Sequence, residues 1–334
     1  MKPMISPLVS LNRRDFLLRS AGLTALGLVT GRRLLAQAAA STTSAASVAA
    51  GLAKPPPVTP EFRLLRRNVG LFTARGGTIG WLAAPDALAV IDTQFADTAA
   101  LCLAGLPGRG DRTIDLVLNT HHHADHTSGN GVFRPVAKTI VAQAHVPALQ
   151  RAAAERAKPS TVDQQVYADT TFAEAWRMEL GDEVVSARYF GAAHTNGDAV
   201  MLFEKANVVH LGDLVFNRIY PVIDRVAGGS FRHWIVVLEK IAREYPSDAI
   251  YLFGHGNSKF GVTGQRTDLL VLRDYLVSLL EHVQAQIAAG KSKEEVSTME
   301  NFPGFPDFHQ PLPNRLGSNL GAAYDELTQT GAFR

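Results

Sequence analysis

Four apolar runs of strand length in this chain each stop at a residue type that binds metal, and few folds can use such a pattern. The run 114–119 leads into Thr120-His121-His122-His123-Ala124-Asp125-His126. The run 183–190 leads into Gly191-Ala192-Ala193-His194-Thr195-Asn196-Gly197-Asp198. Residues 207–211 end in Gly212-Asp213, and 249–253 end in Gly254-His255-Gly256. In a layered α/β fold the carboxyl ends of the strands share one rim, where ligands bind. The four segments therefore bring their histidines and aspartates to one edge of the molecule.

The intervening sequence supports that layering. Residues 69–83 and 87–92 read as a meander of short strands around Gly76-Gly77 and Pro85-Asp86. Helices are expected over 96–106 and 144–157, strands over 137–142 and 199–203. Ser230 is placed to cap a helix carrying Phe231, Trp234, Leu238 and Ile241 at helical spacing. A long helix over 267–289 puts Leu269, Leu272, Leu276, Leu279, Val283 and Ile287 on one stripe. Gly290 ends it, and Ser292 with Glu295 makes a capping box. The fold domain spans 62–300, and the Pro- and Gly-rich tail 301–334 is expected to pack across its surface.

The spacing of the first cluster has a physical reason. Imidazole nitrogens suit Zn²⁺, and His121 and His123 point the same way where the chain is extended, because side chains alternate. Asp125 and His126 follow a turn and reach a second ion. His194 completes three histidines on one metal; Asp125, His126 and His255 complete the other, with Asp213 bridging. Two ions a few ångströms apart share one hydroxide, made available near pH ~7. His122, between ligands, points away. Asp92, at a strand end near the rim, either orients a ligand histidine or serves a turn. Asn130, Asn196 and Tyr220 are candidate substrate contacts on rim loops.

The start of the chain reads as something other than fold. Asn12-Arg13-Arg14-Asp15-Phe16-Leu17-Leu18 resembles a twin-arginine export signal, with a short apolar run over 21–29 and a small-residue cleavage site near Ala38. Residues 1–38 are therefore a signal peptide, and 39–61, with Pro55-Pro56-Pro57, a linker. The expected location is periplasmic or secreted, with the twin-arginine export machinery as a partner. Six of the 33 basic groups lie in that signal against one of the 31 acids. The remainder is about −3 (27 basic, 30 acidic), which gives no electrostatic case for nucleic acid. No apolar run approaches the ~20 residues of a membrane span, and no stable membrane anchor is expected. The single cysteine, Cys102, excludes an internal disulfide and a multi-cysteine metal cluster and reads as core.

His121-x-His123-x-Asp125-His126, followed by His194, Asp213 and His255, resembles the ligand set of the metallo-β-lactamase superfamily. The resemblance covers about 62–290 and implies an αββα sandwich with a dimetal site at one edge of its two sheets. Asp213 stands where the best-known β-lactamases have a cysteine, so the set looks more like the glyoxalase II and lactonase branches, where that aspartate bridges the metals. No counterpart of the glyoxalase II glutathione-binding helices follows residue 264.

The resemblance implies a binuclear zinc hydrolase whose metal-bridging hydroxide attacks the carbonyl of a β-lactam, lactone, ester or thioester. The substrate is then a small molecule, and Asp125 both binds metal and orients the hydroxide. Two other readings share these residues. One is an oxidoreductase holding a single iron on His121, His194 and Asp213 to oxidise persulfides. The other is a metal-binding module without catalysis.

Overall fold

In a computed structural model, which describes residues 59–329, the alternation of strands and helices becomes two large β-sheets with helices on both outer faces, and a small two-stranded sheet that pairs 216–217 with 255–256. The export-signal segment, the cleavage site near Ala38 and the linker as far as residue 58 lie outside the described residues.

The first half supplies β1 (Glu61–Arg66), β2 (Val69–Thr73), β3 (Ile79–Ala83), β4 (Leu88–Ile91), α1 (Ala96–Gly105) and β5 (Leu116–Asn119). Short helices α2 (Ala124–Thr127) and α3 (Asn130–Phe133) follow, then β6 (Ile140–Gln143), α4 (Val146–Arg156) and β7 (Thr170–Phe172). The second half supplies β8 (Ala175–Leu180), β9 (Glu183–Tyr189), β10 (Ala199–Phe203), β11 (Val208–His210), β12 (Phe216–Asn217) and α5 (Phe231–Glu244). It continues with β13 (Ile250–Leu252), β14 (His255–Gly256), β15 (Thr263–Gly264), α6 (Arg266–Ala288), α7 (Lys293–Val296) and α8 (Arg315–Thr328).

One sheet has the order β1-β2-β3-β4-β5-β6-β7, antiparallel to β4 and parallel from there on. The other has the order β15-β13-β11-β10-β9-β8, antiparallel except where β11 meets β13. Strand residues alternate between two buried layers, which is why these strands read as continuous apolar runs. Leu116 and Leu118 of β5 join Met201, Phe203 and Leu252 in the layer between the sheets. Val117 of β5 turns instead to Cys102 of α1 and Phe133 of α3. Val209 and Tyr251 face the stripe of α6 and the buried face of α5. The result is the αββα sandwich.

Several elements depart from expectation. β7 and β8 fall where no strand was read, because β8 is a sheet edge with exposed Ala175, Arg177 and Glu179 alternating with more buried neighbours. β1, the edge of the other sheet, is similarly polar. The tail from 301 does more than cross the surface. Its helix α8 buries Leu316, Leu320 and Ala323, spaced four and three apart, in the same core as α5 and α6. The Pro- and Gly-rich approach over 302–313 hides that stripe in the sequence. Among the described residues no helix is long and apolar enough to cross a membrane.

Leu320→Ala should therefore behave as a core truncation and cost about 2–5 kcal/mol of unfolding free energy. Urea denaturation measures this; a loss under about 1 kcal/mol would show that α8 contributes little to the core.

Candidate metal centre

The carboxyl ends of β5, β9, β11 and β13 are followed by the residues that meet at one edge. β5 ends at Asn119 and the chain turns into α2, so His121 and His123 precede that helix and Asp125 and His126 lie on it. His194 stands on the loop between β9 and β10. Asp213 sits in a single 3₁₀ turn after β11. That turn needs Gly212 at φ 48°, where a Cβ would also meet Thr120 Oγ1 at 2.5 Å. A Cβ on Gly254 would lie 2.0 Å from Asp213 Oδ1, so glycine ahead of His255 is what lets β13 approach the site.

The side chains form two facing groups. His121, His123, His194 and Asp213 have ligand atoms within 4.8 Å of one another, and so do Asp125, His126 and His255. Asp213 lies between them. Its Oδ2 is 3.9 Å from His121 Nε2 and 3.7 Å from His194 Nε2. Its Oδ1 is 3.1 Å from His126 Nε2 and 3.4 Å from His255 Nε2. One carboxylate thus presents one oxygen to each group.

Outer partners fix which nitrogen of each ring faces inward. His126 Nδ1 donates to Asp92 Oδ2 at 2.7 Å. Thr120 Oγ1 donates to the same oxygen at 2.7 Å and accepts from His121 Nδ1 at 3.0 Å. His194 Nδ1 donates to Val222 O at 2.8 Å, and His123 Nε2 donates to Asp224 Oδ2 at 3.1 Å. The inner nitrogens of His121 and His194 are left with lone pairs, His194 Nε2 lies 3.0 Å from His123 Nδ1, and His126 Nε2 faces Asp213 Oδ1 at 3.1 Å. Buried His121 Nε2, His126 Nε2 and Asp213 Oδ1 make no hydrogen bond. An unsatisfied buried polar atom costs about 1–3 kcal/mol, so this concentration of acceptors fits a cation. The donor set of imidazole and carboxylate suits zinc, and also non-haem iron.

The electrostatics agree. Burial, with the crowding of His126, holds His121 well below the usual imidazole range, and burial with His123 lowers His194 to about 3. Although burial opposes it, the carboxylates of Asp213, Asp125 and Asp92 raise His126 well above that range. Against burial, Asp213 and Asp125 likewise push His255 up to about 9. Asp125, despite its own burial, is drawn down to about 2 by His126 and His255. Without metal, protons on His126 and His255 offset two of the three carboxylate charges around them.

The structure brings all seven expected ligand residues together and places Asp92 against His126 and Thr120. Two expected substrate contacts need correction. Asn130 is buried, and its amide is consumed by Asn119, Thr93 and Val166. Tyr220 lies in the core beside Tyr275, its hydroxyl accepting from Phe302 N at 2.9 Å. Their chain positions near the rim carried no information about side-chain direction. Asn196 remains half-buried on the His194 loop, where its Oδ1 accepts from Tyr189 at 2.6 Å. His122 is buried, with Nε2 3.5 Å from Asp224. Asp224 was missed in the sequence, as was Asp198, which fixes the His194 loop by accepting from Thr195 N and Oγ1 at 2.7 and 2.6 Å. Asp198 follows His194 by four residues, a spacing that gave a usable hint.

Residues 72–255 match the profile described as the Metallo-beta-lactamase superfamily. Among solved structures, the chain resembles a metallo-beta-lactamase from Pontibacter korlensis, with 17% identity and a TM-score of 0.53 over 65% of this chain and 99% of that one. A double mutant of the sec-alkyl sulfatase PisA1 aligns with 16% identity and a TM-score of 0.59 over 81% of this chain. The match takes in 51% of that longer protein. A metallo-beta-lactamase from Hirschia baltica aligns with 15% identity and a TM-score of 0.51 over 65% of this chain and 97% of its own.

A metal ion held by His126 and His255 would displace the protons they carry. Uptake at pH 7 should therefore release about two protons per chain, and apparent affinity should rise with pH up to about 9, where His255 deprotonates. Calorimetric titration in buffers of different ionisation enthalpy counts them. Uptake without proton release would contradict the charge balance described.

Proposed function

The chain belongs to the metallo-β-lactamase superfamily, and on that premise we propose that it is an exported binuclear zinc hydrolase. Its substrate is a small molecule with an attackable carbonyl: a β-lactam, lactone, ester or thioester. The observation that carries this reading is Asp213, with one oxygen toward each group of ligands. That arrangement, like the glyoxalase II and lactonase pattern, favours two ions over one. A single iron on His121, His194 and Asp213 would leave the inward nitrogen of His126 and the Asp125–His255 pair without metal duty.

His121, His123 and His194 would hold one ion, and Asp125, His126 and His255 the other, with Asp213 shared. When bound, the pair of ions supplies Lewis-acid polarisation of the carbonyl and a water acidified to near neutral pH. Asp125 is ionised and 28% exposed, so one carboxylate of the site faces the opening and can orient a water there by accepting its hydrogen bond. Asp92 and Asp224 keep the ligand rings in a fixed tautomer, so the charge that develops on substrate meets a preorganised site. Phe216 stacks on His255 at 5.5 Å and borders His194 at 5.6 Å, closing that flank to water.

Export follows from the twin-arginine segment. That machinery carries folded proteins, so metal can be loaded before passage and the mature chain released near Ala38 into the periplasm. Replacing Arg13 and Arg14 by Lys should retain the protein in the cytoplasm, as read by fractionation. Unaltered export would contradict the assignment.

His121→Ala with His123→Ala should abolish both metal loading and hydrolysis. The assay panel is lactams, lactones and thioesters, with secondary alkyl sulfates added because a structural neighbour is an alkylsulfatase. Full activity retained by the double variant would remove the mechanism.

A further inference from the structure

Loop 221–229 touches the metal centre from outside the ligand set and governs only one half of it. Val222 O fixes His194 Nδ1, and Asp224 Oδ2 fixes His123 Nε2. The loop's backbone adds two bonds around His194, Asp224 N to His194 O at 3.0 Å and Asn196 N to Ala227 O at 2.8 Å, and Ser230 just past it donates its N–H to Ala193 O at 2.9 Å. His126, by contrast, is fixed by Asp92, on β4's side of the site.

The same loop is fastened at both ends to the C-terminal segment, which lies beyond the residues matching the family. At its start, Tyr220 N donates to His309 O and His309 N to Arg218 O, both at 3.0 Å, while the Tyr220 hydroxyl accepts from Phe302 N. At its end stands Glu326 of α8, only 8% exposed. Glu326 Oε2 accepts from Arg225 Nη1 at 2.8 Å and Phe231 N at 3.0 Å. Its Oε1 accepts from Ser230 Oγ at 2.8 Å and Arg232 N at 3.1 Å. A carboxylate at the N-terminus of α5 satisfies orphan N–H groups and meets the positive end of the helix. Arg225 Nη1 also donates to Gly229 O at 2.7 Å, so the ion pair spans the loop.

We propose that segment 301–328 is a clamp on the three-histidine half of the metal centre, with Glu326 and Arg225 as positioning residues acting through loop 221–229. The inference rests on the binuclear reading and deepens it: Asp92 and Asp213 serve both ligand groups, whereas loop 221–229 braces only His123 and His194. His123 and His194 keep their angle only while the loop is held, whereas Asp125, His126 and His255 are braced elsewhere.

The test is a cobalt(II) titration of chelator-treated full-length protein, followed by absorption, with bound metal counted by elemental analysis and folding checked by circular dichroism. Wild type should take two ions per chain; failure to do so overturns the binuclear reading before any variant is compared. Glu326→Ala should weaken one ion by up to about 10-fold, at or below the low end of the ~10–100-fold that follows the loss of a ligand's direct outer partner, and leave the other unchanged. Added to His194→Ala it should leave the ion on Asp125, His126 and His255 unchanged, while added to His255→Ala it should weaken the ion on His121, His123 and His194. Arg225→Ala should show the same selective loss and carries the test if Glu326→Ala does not fold. Wild-type affinity at both ions in these variants, or equal weakening of both, overturns the clamp.

Discussion

Every feature of the rim follows from one constraint: several imidazole lone pairs and three carboxylates share a small, mostly buried volume that needs positive charge. His121, His123, His126 and His194 each commit their outer nitrogen to a partner, so their inner nitrogens have nothing within the chain to receive. Protons on His126 and His255 satisfy part of the demand, at the expense of metal affinity at low pH. Metal satisfies the whole of it. Buried acceptors facing one another would otherwise be a standing cost to the fold.

The sandwich exists to hold that arrangement still. Strands close-packed on both faces hold their side chains in fitted layers, so the strand ends from which the ligands emerge are fixed relative to one another. Gly212 and Gly254 let the backbone close around Asp213 where any side chain would intrude. Asp92 then couples two ligands from one position, because its Oδ2 receives both His126 and, through Thr120, His121. Asp92 itself adopts φ 64°, a conformation that aspartate tolerates better than most residues.

The ligands were legible because each follows an apolar run directly, so strand period and residue type together placed it. The layers were legible for the same reason: Leu116-Val117-Leu118 can only be a strand covered on both sides. What lay hidden depended on long-range proximity. Asp224 meets His123, and Glu326 meets Arg225, each across 101 residues, with no local pattern to mark either pair. β1 and β8 were obscured because edge strands are polar on one face. Asn130 and Tyr220 show the opposite error: polar residues near the rim that the fold turns inward to satisfy its own backbone and core.

The most direct test of the account is the metal content of the wild-type protein purified without chelator. Two zinc ions per chain is the result the proposed binuclear reading predicts, one at each ligand group with the Asp213 carboxylate between them. One iron per chain, with no zinc, would contradict it and assign the site to the facial-triad oxidoreductase chemistry of a single ion.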